Sequence, residues 1–131
     1  MNNLEQKVPA RDLMLKRMTE DFLTELGVPV NFLGYDYLTT AVCLVIDNPN
    51  IKSRVCKELY PRIAKIYGTR STRVERAIHH SIDFIFSKPD GAVHDLFGNT
   101  INANSGKVTN SEFVFRIAQL IQRKWEDTNA T

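Results

Sequence analysis

The chain has 131 residues, 43% of them hydrophobic, enough for one domain with a real core and no need of disulfides or metal. Lys and Arg number 17 against 15 Asp and Glu, a net charge of only +2, so any nucleic-acid role has to rest on local placement and not on bulk charge. No apolar run is long enough to span a membrane, no signal peptide opens the chain, and Cys43 and Cys56 form no metal spacing.

Met1 to Val8 is polar and lacks periodicity, which predicts a linker or disordered start. From Pro9 to Leu26 the text predicts a first helix, with Leu15, Met18, Phe22 and Leu26 on one face and Pro9 in the opening turn. Gly27 and Pro29 end it, and the VPVNFLG stretch reads as an apolar connector on the core. Tyr35 to Asp47 is the second helix: its AVCLVI run is β-branched, but no partner strand pattern stands nearby. Both cysteines read as reduced, partly buried thiols of a cytoplasmic protein. Asn48-Pro49 stops the second helix, and Ile51 to Tyr67 is helical text interrupted at Tyr60-Pro61. A bracing helix is therefore expected from near Leu59, preceded by a separate helical turn.

Leu59 to Phe86 has the outline of a helix-turn-helix. Ala64 lets two helix backbones approach, and Gly68 can take the positive φ of a tight turn. The second helix is expected from Thr72 to Ser87, where Lys88-Pro89-Asp90-Gly91 breaks it. At about 100° per residue, Val74, Ile78, Ile82 and Ile85 cluster on one side, with Ala77 and Ser81 at the border. Val74 and Ile78 are expected to face Ile63 and Tyr67. The opposite side carries Arg73, Arg76, His80 and Asp83, with Thr72, Glu75 and His79 on the flank. Ala92 to Phe97 is a short helix closed by Gly98, and Asn99 to Val108 is a loop turning at Asn104-Ser105-Gly106. Thr109 to Glu112 resembles a capping box that opens a last helix striped by Phe113, Ile117, Leu120, Ile121 and Trp125. The sum is an all-α, compact bundle of about six helices, with the domain over residues 9–127 and a disordered tail over 128–131.

The first two turns of the second helix carry the chemistry. Surface arginines are usually just solvated, but Arg73 and Arg76 on this outer face are placed to reach bases, where the guanidinium fork suits guanine O6 and N7. His80 lies on the same side and is a base or phosphate contact. Thr69, Arg70 and Ser71 in the turn, with Thr72, sit where phosphates would meet a helix N-terminus. Lys107, just before the last helix, could clamp phosphate together with that helix's N-terminus, and Lys88 carries less weight. His79 and His80 diverge by about 100° and cannot chelate one ion together. His94 reads as a surface residue, and Tyr35 and Tyr37 as packing. Nothing has a nucleophile–base pair, a metal spacing or a phosphate-cradling loop, so no enzyme and no cofactor are expected. The rival reading is a helical interaction domain whose Arg73 face binds an acidic partner.

The run LYPRIAKIYGTRSTRVERAIHHSIDFIF, with GYDYL before it and LFGNT and TNSEF after it, resembles one family. It is that of the C-terminal DNA-binding effector domain of the stage-zero sporulation master response regulator. The resemblance covers about Phe22 to Trp125. It implies a transcription factor domain controlling entry into sporulation, binding TGTCGAA-type boxes and activating or repressing transcription. It implies that the RVER block faces bases as a unit, so that Glu75 could accept from cytosine N4, whereas Thr72-x-x-Glu75 equally fits a helix cap. The family often has Arg where His79 stands, which makes a phosphate contact there weaker near neutral pH. Ser87, Ala92, Phe97 and Ile101 match the family's contact with the RNA polymerase sigma subunit. The last helix, Ala118 included, is implied in self-association on tandem boxes. The resemblance also implies a receiver domain in the full protein; no receiver text stands in this chain, and Met1 is expected to mark an artificial start.

Overall fold

In a computed structural model the periodic segments become six α-helices among the described residues, 10–130. They are α1 (Ala10–Glu25), α2 (Leu33–Asp47), α3 (Tyr60–Tyr67), α4 (Ser71–Phe86), α5 (Ala92–Phe97) and α6 (Asn110–Thr128). The expected linker Met1 to Val8, the opening Pro9 and the final Thr131 lie outside the described residues. A 3₁₀ turn (Pro49–Ser53) and a wide π-helical turn (Val55–Leu59) lead into α3, where one separate helical turn was expected.

α2 is the central strut and packs against α1, α4 and α6. Its residues are buried almost all round, among them Tyr37, Leu38, Ala41, Val42 and Ile46. Burial on every side outweighs the modest helix propensity of its β-branched residues. Tyr35 and Tyr37 are both buried, and the Tyr35 hydroxyl donates to the Glu20 carbonyl at 3.0 Å, tying α2 to α1.

α2 begins at Leu33, earlier than expected, which puts Gly34 inside its first turn. A Cβ there would lie 2.0 Å from Ser81 Oγ and 2.4 Å from the Ala77 carbonyl oxygen of α4. Ser81, read as a border position, is in fact fully buried, and its hydroxyl donates to that same Ala77 oxygen at 3.1 Å. Only glycine admits this approach.

The turn between α3 and α4 follows from Gly68, whose φ is +65°. The Thr69 amide reaches the Ala64 carbonyl at 2.8 Å and the Gly68 amide that of Lys65 at 3.4 Å, a Schellman closure. α4 then runs one residue earlier at both ends than expected, so Ser71 lies in its first turn and Ser87 just beyond its last. Val74, Ile78, Ile82 and Ile85 are buried as their spacing required, and so is Ile63 of α3. Tyr67 does not join them. It is 42% exposed, its ring lies edge-on to Tyr37 at 5.1 Å, and its hydroxyl shares a 2.7 Å hydrogen bond with Thr40. As the last residue of a short helix it turns onto α2 instead of α4.

The capping box of α6 is formed: Glu112 N donates to Thr109 Oγ1 at 3.1 Å, and Thr109 N to Glu112 Oε1 at 2.8 Å. Val108 and Phe113 occupy the hydrophobic-staple positions around it, and both are buried. Phe97 of α5 stacks on Phe113 with centroids 5.4 Å apart. His94, expected on the surface, is half-buried: its ring lies edge-on to Phe86, and its Nε2 is 3.1 Å from the Phe86 carbonyl oxygen. Of the two cysteines, Cys43 is half-buried as expected, whereas Cys56 is exposed. Burial pushes the Cys43 thiol up to about 11, against a smaller opposing pull from its hydrogen bond with Thr19.

Two outcomes follow from this packing. Gly34→Ala should lower the unfolding free energy by at least about 2 kcal/mol in urea titration, because the Ala77 backbone has nowhere to move. An unchanged midpoint would mean that α2 and α4 do not meet there. Near pH 8, roughly one Cys43 thiol in a thousand is ionised, so iodoacetamide followed by peptide mapping should find Cys56 alkylated long before Cys43.

Candidate nucleic-acid interface

The buried stripe of α4 decides what its other side presents. With Val74 and Ile78 held in the core, Thr72, Arg73, Glu75, Arg76, His79 and His80 are all exposed along the first three turns. The N-cap position is Arg70, in extended conformation, and no side chain caps the helix. Its carbonyl accepts from Arg73 N at 3.0 Å and Val74 N at 3.1 Å, while the first-turn amides before them have no intrahelical acceptor. The start of α4 therefore combines open N–H groups, the positive end of the helix dipole and the guanidinium of Arg70.

This geometry settles one open choice. A Thr72–Glu75 capping box needs Thr72 at the N-cap, but Thr72 is already inside the helix and makes no cap hydrogen bond. Glu75 is thus an exposed carboxylate on the flank with no capping role, and its backbone carbonyl accepts from Asn110 Nδ2 at 3.2 Å.

Two hollows flank Arg76. The first, a groove of about 980 Å³, is lined by Thr69, Arg70, Arg73, Arg76 and His80 on one side and by Asn31 and Phe32 on the other. Phe32 lies 5.1 Å from the His80 ring and edge-on to Phe84 at 5.2 Å, so the imidazole rests against an aromatic wall. Sequence reasoning missed Asn31 and Phe32, which carry no periodic signal in a short connector; the early start of α2 brings them here. Lys88, beyond the helix, places its ammonium 4.7 Å over the Phe84 ring.

The second hollow is lined by Glu75, Arg76, His79, Lys107 and Asn110. Lys107 donates to Asp83 Oδ1, and His79 Nε2 is 3.2 Å from Asp83 Oδ2 and 3.3 Å from Lys107 Nζ. With a proton on Nε2 the imidazole donates to Asp83, which then accepts from both side chains; without it, that nitrogen can accept from Lys107. Asn110 Nδ2 also donates to the Tyr60 hydroxyl at 3.2 Å, fastening α6 to α3 as well as to α4. Burial raises the Tyr60 phenol above its ordinary value, partly offset by that Asn110 contact. The N-terminus of α6, expected to help Lys107 hold phosphate, is already occupied by Thr109 and the Glu112 carboxylate.

Of the segment after α4, Ser87 and Ala92 are exposed and Ile101 is half-buried. Phe97, expected in the same contact, is only 4% exposed and packs against Phe86 and Phe113, so it offers no face of its own.

The family model described as sporulation initiation factor Spo0A C terminal matches residues 19–121. The chain belongs to this family. The match spans α2 to α5, the loop that carries Lys107 and most of α6, and hence every candidate residue above. The domain is a DNA-binding, transcription-regulating one of sporulation initiation. Among the described residues, no helix is long and apolar enough to cross a membrane, and no cluster of His, Cys, Asp or Glu could hold a metal ion.

The aromatic wall can be checked directly. Phe32→Leu should keep the fold within about 1.5 kcal/mol and move the His80 ring-proton resonances as the Phe32 ring current is lost. Unshifted resonances would mean that the rings are not stacked in solution.

Proposed function

We propose that this domain reads TGTCGAA-type boxes in duplex DNA with the first two turns of α4 in the major groove. The observation that carries the reading is the joint projection of Arg73, Arg76 and His80 from an uncapped helix start braced by α3. Arg73 and Arg76 contribute bidentate donors to guanine, and Glu75, free of any capping role, an acceptor for cytosine N4. His80, held against Phe32, completes the base-facing set. Thr69, Arg70, Ser71 and Thr72 meet one phosphate strand at the helix start, and His79 and Lys107 meet the other from the second hollow.

On tandem boxes two such domains associate through α6 and adjoining surface, as the family reading implies. The exposed Ser87 and Ala92, with Ile101 beside them, form the contact for the polymerase sigma subunit, and activation or repression then depends on where the box lies. In the full regulator a receiver domain restrains this activity, so the domain alone binds without phosphorylation. The setting is the cytoplasm.

The test compares a duplex carrying one box with a scrambled duplex. Arg76→Ala should lose about 1–3 kcal/mol of the preference for the box while keeping most of its salt dependence. Equal binding of both duplexes by both proteins would remove base reading, and absence of salt-dependent binding would favour an acidic protein partner instead.

A further inference from the structure

Asp83 is a carboxylate on the DNA-facing side of a DNA-binding helix, where bare negative charge would repel phosphate. Thr72, Arg76, His79 and Asp83 follow one stripe of α4, each within about 60° of the next around the axis. Asp83 therefore stands two turns along from Arg76, roughly 10 Å by helical rise, near where a groove wall would pass. Its two oxygens are taken, one by the Lys107 ammonium and the other by the His79 imidazole. These are the two groups that the second hollow offers to phosphate. The three are not sealed away: the side chain of Asp83 is 43% exposed and that of His79 54%, while that of Lys107 is 27% exposed.

We infer that Asp83 acts as a resident phosphate mimic, occupying Lys107 and His79 in the free domain and weakening DNA binding by holding them. A carboxylate presents two acceptor oxygens to these donors much as a backbone phosphate does, so the two compete for the same hydrogens. DNA must displace Asp83 or share Lys107 with it, and the shared cation no longer counts as a full charge toward the backbone. The effect lowers affinity evenly for all sequences, because phosphates carry none. It leaves discrimination to the Arg73 and Arg76 end of the helix. Asp83 thus sets how far binding depends on base reading compared with phosphate attraction.

The inference rests on the DNA interface proposed above. Its test is a salt series of anisotropy titrations with the whole chain, on boxed and scrambled duplexes. Asp83→Asn should bind both duplexes roughly 5–10-fold tighter near 0.1 M salt, with the slope of log K against log salt steeper by about 0.9, one added phosphate contact. The boxed-to-scrambled ratio should stay put. Asp83→Glu, which keeps the charge, should remain close to wild type, and the gain should largely vanish in a Lys107→Met background. A thermal melt of each variant checks that the loop carrying Lys107 still docks. If Asp83→Asn binds more weakly or with an unchanged slope while wild type binds normally, Asp83 orients Lys107 and does not restrain it, and the inference falls alone. If wild type shows no salt-dependent duplex binding, the interface itself falls and this inference with it.

Discussion

The contact of Gly34 with the Ala77 backbone and the Ser81 hydroxyl of α4 is the constraint that the rest of the arrangement depends on. Helices with ordinary side chains at their crossing keep their axes about 8–10 Å apart; a missing Cβ removes that spacer. Ser81 supports the approach by returning its hydroxyl to the Ala77 carbonyl, so that close packing leaves no polar group stranded. Arg76 immediately precedes the point of contact and is therefore held in rotation about the helix axis from behind. The Schellman turn at Gly68 holds the other end, so α4 is pinned at its start and at its third turn. The same contact carries the connector before α2 up to the groove, which is why Phe32 meets His80.

Much of this fold could be read from the sequence, and the reasons are local. α4 and α6 have clean 3.6-residue stripes, proline and glycine mark the breaks, and the Thr109–Glu112 box is a signal with its own mechanism. What could not be read depended on partners distant in sequence. Gly34 looked like part of a connector because its reason for being glycine lies on α4. Tyr67 looked like a core residue by spacing, yet a short helix ends there and its ring finds Tyr37. His94 and Cys56 changed places between surface and interior, because single polar residues carry no periodic information about burial.

The exposed face of α4 was legible to the same extent. Arg73, Arg76 and His80 share a face by angle alone, so their joint exposure needed no tertiary knowledge. The exclusion of a Glu75 cap did, since the N-cap of α4 is Arg70, two residues before Thr72. Lys107 was visible as an isolated cation before a helix, but its partner Asp83 was read only as one more exposed residue. Angular patterns sort residues into faces, but they do not reveal which loop returns to cover a face.

The two helix starts on this side of the molecule show how a chain of net charge +2 can still prepare for an anion. α6 begins with every device available: a Thr cap, a reciprocal Glu112 bond and a buried staple. α4 begins with none, although a Ser, Thr, Asp or Asn at position 70 would stabilise it by about 1 kcal/mol. An arginine there instead leaves the first amides open and adds a positive charge beside the dipole's positive end, an unfavourable combination for an isolated helix. It persists because α4 is secured by Val74, Ile78 and Ser81 and does not need its cap to stay folded. The starts of α2, α3 and α5 also lack a side-chain cap; that of α4 differs in placing Arg70 beside its open amides, a positive charge that a bound phosphate would offset. The small net charge is then no objection: attraction has to be strong only where open amides, Arg70 and Arg73 converge.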